Sequence, residues 1–257
     1  MPRWTAFPHP LFRFDAANIR AAWPRLHRCD AEPCPQDPAV LQAWALFHAG
    51  DFERAAAEGL AAGGAGVTAA NKATAIYACY LEPREATRFD LFLQVAERAE
   101  AQTRAEPGNA NAWFWRGYAL ARYSQGISVA RALAQGLGIK VKESLEATIA
   151  LAPQHVDARL ALGAYHAEVI DKVGPLIGHM TYGARKEVGL KLFDEALALA
   201  PDSPIALMEQ ANALVMLEGP TQADEATRLY ERAAACEPAD ALEQLQVDLA
   251  RAELADG

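Results

Sequence analysis

From residue 38 onward apolar side chains recur every three or four positions through one segment after another, and alternation at period two is hard to find. That spacing puts one face of a helix against a core and argues against strands. Broken at Gly, Pro, Asn and Asp, the pattern predicts helices over 38–49, 52–62, 67–81, 85–105, 110–124, 128–151, 155–172, 183–200, 204–217, 222–236 and 239–254. Gly136 and Gly138 weaken a continuous helix over 128–151 and allow two shorter ones. Upstream, residues 1–14 combine prolines with Trp4, Phe7, Leu11, Phe12 and Phe14, too proline-broken for a helix and too apolar to leave in water. This arm is expected to lie across the body or a neighbouring chain. Asp15 can cap a short helix over 16–28, disturbed at Pro24, and 30–38 reads as a loop. The expected organisation is an arm with a short helix over 1–37 and a helical repeat domain over 38–257.

Helix ends recur at Pro107, Pro153, Pro201 and Pro238, separated by 46, 48 and 37 residues. Proline lacks an amide proton and disfavours helix in the residue before it, so each one stops a helix sharply. A stop repeated at near-regular intervals is the mark of a solenoid. Counting back from Pro238, small and aromatic residues fall at Ala226, Tyr230 and Ala233; counting back from Pro201, at Gly189, Phe193 and Ala196. An aromatic residue followed by glycine appears in a preceding helix as Trp113 and Gly117, Gly163 stands alone in the next, and an earlier unit is suggested by Trp44, Gly50-Asp51-Phe52 and Ala55. In these positions the chain resembles the tetratricopeptide repeat (TPR), a helix–turn–helix unit of about 34 residues. The resemblance implies an all-α, TPR-like α-α superhelix, a solenoid of antiparallel helical hairpins.

Two of the intervals exceed the repeat length by 12 and 14 residues, so the hairpins of the C-terminal half are lengthened. The surplus falls at 124–138 and 169–183 and is apolar, unlike ordinary solvent loops. These inserts are expected to pack along one edge and to offer a homo-oligomer interface. The stretch 139–153 followed by Ala161-Leu162-Gly163-Ala164-Tyr165 resembles the repeat region of the regulator-of-microtubule-dynamics family, whose eukaryotic members it would relate to microtubule or organelle-tether binding. A second resemblance, over 155–217, is to the repeat component associated with TRAP-type transporters, which implies a carrier for a small apolar ligand.

Composition narrows the partners. The chain has 24 Lys and Arg against 33 Asp and Glu, a net charge of −9, which opposes a nucleic-acid footprint built on clustered cations. No stretch approaches the roughly 20 apolar residues of a membrane span, and the first residues lack the apolar core of a secretory signal. A cytoplasmic protein with free thiols at Cys29, Cys34, Cys79 and Cys236 is expected.

Chemistry is thinly represented. Gly63-Gly64-Ala65-Gly66 lacks the preceding strand of a phosphate-binding turn, Cys29 and Cys34 have no second pair for zinc, and His166 with Glu168 point to different helix faces. No enzyme, metal or cofactor is expected. A protein or peptide partner in the concave groove is, and the repeat's groove positions transfer to Asn111, Phe114, Tyr118, Arg122, Asp157, Leu160, Glu168, Met208, Asn212 and Met216.

Overall fold

A computed structural model of the chain describes residues 4–15 and 17–256. Among them every regular element is helical: α1 (Ile19–Leu26), α2 (Pro38–Ala49), α3 (Phe52–Ala62), α4 (Gly66–Tyr80), α5 (Glu85–Ala105), α6 (Ala110–Gln125), α7 (Val129–Ala134), α8 (Leu137–Leu151), α9 (Val156–Val173), α10 (Pro175–Tyr182), α11 (Lys186–Leu199), α12 (Pro204–Glu218), α13 (Ala223–Ala234) and α14 (Ala241–Asp256). The 128–151 segment is two helices, parted at Gly136, whose φ of +63° lies in the left-handed region. The insert over 169–183 does more than lengthen a hairpin: α9 stops at Gly174 and Pro175 opens a separate helix.

Local chemistry explains the ends. Asp37 caps α2 by accepting from the Ala39 amide, with Pro38 in the first turn, where no intrahelical amide bond is required of it. Asn109 caps α6 and Ser203 caps α12 in the same way, each just after a proline stop. Between α2 and α3, Gly50 takes a φ of +100° and Asp51 caps the helix that follows, so two residues reverse the chain.

The chain forms two compact units. Unit 1 comprises 1–27, 31–152 and 240–242; unit 2 comprises 28–30, 153–239 and 243–257. Most of unit 2 follows the Ala152-Pro153 stop. In unit 1, hairpins form from α2 with α3, α4 with α5, and α6 with α8, and the first helices α2, α4 and α6 also pack side by side. In unit 2, α9 pairs with α11 and α12 with α13, and the first helices α9 and α12 are again neighbours.

The small-plus-aromatic pattern is a packing device. A Cβ on Gly163 would lie 2.8 Å from Phe193 Cε2, so the glycine lets α9 seat directly on that ring. Phe193 is fully buried with Val156, Leu160, Ala196 and Ala206. A second cluster of unit 2 joins Leu207, Met208, Ala226, Leu229 and Ala233.

Candidate functional site

In unit 1 the chain's own N-terminal segment crosses α2 and α4, and its contacts build a site one residue at a time. Trp4 stacks on Tyr77 of α4, ring centroids 4.0 Å apart and 13° from parallel. The Thr5 amide donates to Tyr77 Oη at 3.2 Å, and that hydroxyl donates in turn to Glu82 Oε2 at 2.8 Å. Glu82 is nearly inaccessible to solvent, and Arg84 grips its carboxylate through Nε, at 2.8 Å, and through a second guanidinium nitrogen. That grip holds the Glu82 carboxyl down at about 2, so it is an acceptor at any ordinary pH. Burial pushes the Tyr77 phenol up, keeping its proton available to Glu82.

Three residues further on, Phe7 is buried over Gly50 and edge-on to Phe52. A Cβ at Gly50 would come within 2.7 Å of the Phe7 ring, so the left-handed glycine both ends α2 and makes room for this side chain. Phe12 donates its amide to the Ala49 carbonyl at 3.1 Å, one of the acceptors that the end of α2 leaves without a helical partner. Phe14 then meets His48 edge-on.

The segment continues as α1. Trp23 is buried, perpendicular to Trp44 of α2, and its indole N–H donates to the Glu32 carbonyl at 2.8 Å. His27 lies against Trp44 and its Nε2 is 3.1 Å from His48 Nε2; His48 Nδ1 is 2.6 Å from Asp240 Oδ2. The two rings and the carboxylate form one buried chain of contacts from His27 through His48 to Asp240. Asn111 of α6 donates to Glu32 Oε2 at 2.7 Å. The buried Glu32, Asn111, His27, His48 and Asp240 are thus joined into bonded pairs and chains, which offsets the cost of desolvating them.

The transferred groove positions fall into two sets, four in unit 1 and six in unit 2. Asn111, Phe114, Leu160 and Met208 are buried in this structure. Asn111 is sealed by Glu32, Phe114 packs against Trp115, and Leu160 and Met208 belong to the cores of unit 2. Tyr118 is half-buried, its hydroxyl 3.1 Å from Cys79 Sγ and pushed well up by burial, and Arg122 lies over its ring. Asp157 is half-buried at the start of α9, and Glu168 pairs with Lys172 at 3.9 Å. Asn212 is exposed but accepts from the Tyr230 hydroxyl at 2.7 Å, and Met216 is exposed. The residues that hold the arm, Tyr77, Glu82, Arg84, Gly50 and Ala49, were not among the expected ones. Only Gly50-Asp51-Phe52 carried a local signal; the Thr5 to Tyr77 contact spans 72 residues of sequence.

The four cysteines are free thiols. Cys29 is pushed up to about 12, first by burial and then by Asp157, so it is protonated and a poor nucleophile. Among the described residues no group of three or more His, Cys, Asp or Glu is arranged to hold a metal ion, and no helix is long and apolar enough to cross a membrane. What the unit 1 wall does offer is aromatic platforms, a hydroxyl and a carbonyl that accept from backbone amides, and an ionised acid that orients the hydroxyl.

Hairpins of this kind, stacked first helix to first helix with small residues seated on rings, define a helical-repeat protein. The fold is all-α and TPR-like. A crystal structure of TTC0263, a thermophilic TPR protein in Thermus thermophilus, superposes with a TM-score of 0.58, covering 83% of this chain and 97% of that one at 16% sequence identity. At that identity the likeness speaks for the fold alone. No family model matches the chain, and no curated protein matches it.

Proposed function

We propose that the chain is a binding scaffold rather than an enzyme, and that it holds a non-helical segment of a protein or peptide partner on the first helices of its repeats. The observation that carries this is the arm itself: residues 4–14 lie, without helix or strand, on α2 and α4, read through ring stacking and two backbone amides. The wall therefore has the equipment for peptide recognition, with hydrogen bonds for the main chain and pockets for side chains. The TPR-like fold supports the same function. The resemblance to the regulator-of-microtubule-dynamics repeats is compatible with it, and a tether role falls under the same proposal. We assign the cytoplasm, which the free thiols support, and no nucleic-acid partner, which the net charge of −9 supports.

A random 12-residue peptide display library panned against the full chain tests the proposal. We expect enrichment of a shared aromatic motif whose affinity falls at least about tenfold in Tyr77→Leu, a loss of one good stacking and hydrogen-bonding anchor. Enrichment of no motif by either the full chain or its Trp4→Ala variant, or of one indifferent to Tyr77 in a variant with unchanged helicity, overturns it.

A second possibility is self-association. On α10, Leu176, Ile177 and Met180 are 71%, 55% and 78% exposed, an apolar surface of the kind that marks contact sites. A small apolar-ligand carrier, as the transporter-associated resemblance suggests, has no observation here that favours it.

A further inference from the structure

We infer that residues 4–14 are an internal ligand of unit 1, and that the external ligand they hold off is a non-helical, proline-bearing peptide with aromatic anchors. The inference rests on the proposed function and deepens it by naming the ligand class and the occupant that competes with it. Its basis is the contrast between how the arm and α1 are attached. In α1, Ile19 and Trp23 are buried, Trp23 is bonded to Glu32, and His27 continues into the His48–Asp240 chain. The arm touches the body at separated points, through Trp4 on Tyr77, Phe7 over Gly50, Phe12 on the Ala49 carbonyl and Phe14 against His48. Between these points Thr5, Ala6, Pro8, Pro10, Leu11 and Arg13 are exposed.

A segment held at separated points can lift off while α1 stays docked, since local opening needs only the contacts of that segment to break. The points of attachment also describe the ligand. Tyr77 is a platform for a flat ring, and its hydroxyl, fixed by Glu82 and Arg84, accepts the amide of the following residue. Gly50 and Phe52 form a slot for a second ring three residues along. After the second ring the chain bends at Pro8 and His9, and Pro8 and Pro10 fix their own φ and carry no amide proton. Aromatic, two residues, aromatic, then prolines is the class of sequence this surface takes.

Because the arm is tethered beside its site it competes at a high effective concentration, so an outside peptide meets a site open only part of the time and binds with affinity reduced by that fraction. Trp4→Ala should release the Tyr77 platform. Fluorescence anisotropy of a labelled synthetic peptide of residues 4–15, titrated with the full chain, is expected to show binding at least about tenfold tighter to Trp4→Ala than to the unaltered chain. That gain is expected to vanish in Trp4→Ala/Tyr77→Leu. Equal affinity for both chains, no binding to Trp4→Ala with helicity retained, or binding indifferent to Tyr77 overturns the inference. Hydrogen exchange on the unaltered chain tests it without substitution. The Thr5 and Phe12 amides should exchange at least about 100-fold faster than amides in the middle of α2, and exchange at the α2 rate overturns it. If the arm peptide behaves as expected while Trp4→Ala selects no foreign motif, the internal ligand stands and the proposed function falls. If both chains select foreign motifs equally well and the arm peptide fails to bind, the proposed function stands and the internal ligand falls.

Discussion

Glu82 shows how a single side chain sets the character of a surface. Its folded value of about 2 lies below the ordinary 4.5, chiefly because Arg84 donates to it. A carboxyl depressed on folding contributes stability that is fully present above its unfolded value and is lost as pH falls through the folded one. The window is therefore about pH 4.5 down to about 2. Urea unfolding of Glu82→Gln and the unaltered chain should differ by a constant amount above about pH 5, and the difference should shrink as pH falls through that window. A constant difference down to about pH 2 would show that the Arg84 contact does not exist in solution. Gly163 makes the complementary point about packing. A Cβ 2.8 Å from the Phe193 ring meets a side chain that is itself fully buried and has nowhere to move. Gly163→Ala should cost about 1–3 kcal/mol by overpacking, despite the gain in helix propensity that alanine brings. Chemical denaturation measures it, and a stabilised variant would refute the contact.

At the scale of elements, α7 and α10 set this chain apart from a plain array of hairpins. Both arise inside the apolar inserts and both leave large apolar side chains in solvent, Val129 and Leu133 on α7, Leu176, Ile177 and Met180 on α10. Their packing is one-sided: α10 rests on α9 and α7 on α8. An exposed methionine contributes little to folding, so Met180→Glu should leave the unfolding free energy within about 0.5 kcal/mol. Thermal or urea unfolding checks this, and a large loss would mean that α10 is buried by something in solution. The proline stops behave differently because their effect is local. Each needs only its own ring and the capping residue that follows, as with Asn109 after Pro107 and Ser203 after Pro201.

For the whole molecule, the sequence by itself determined the class of fold. Helical periodicity, proline stops and the spacing of Gly163, Phe193, Ala196, Ala226 and Ala233 are local or near-local signals, and a repeat protein is assembled from contacts between neighbouring elements, so local signals suffice. The site was legible only in part. Trp4, Phe7, Phe12 and Phe14 announced an arm too apolar for water, but nothing near them in sequence says where they rest. Tertiary structure alone decided that Trp4 meets Tyr77, that Glu32 closes over Asn111 and that His48 reaches Asp240; the bonds from Thr5 to Tyr77, Asn111 to Glu32 and His48 to Asp240 span 72, 79 and 192 residues. Asn111 is sealed by Glu32 for the same physical reason. A repeat motif specifies which face of a helix looks inward, whereas what covers that face depends on a segment outside the repeat. In unit 1 that segment is the chain's own beginning.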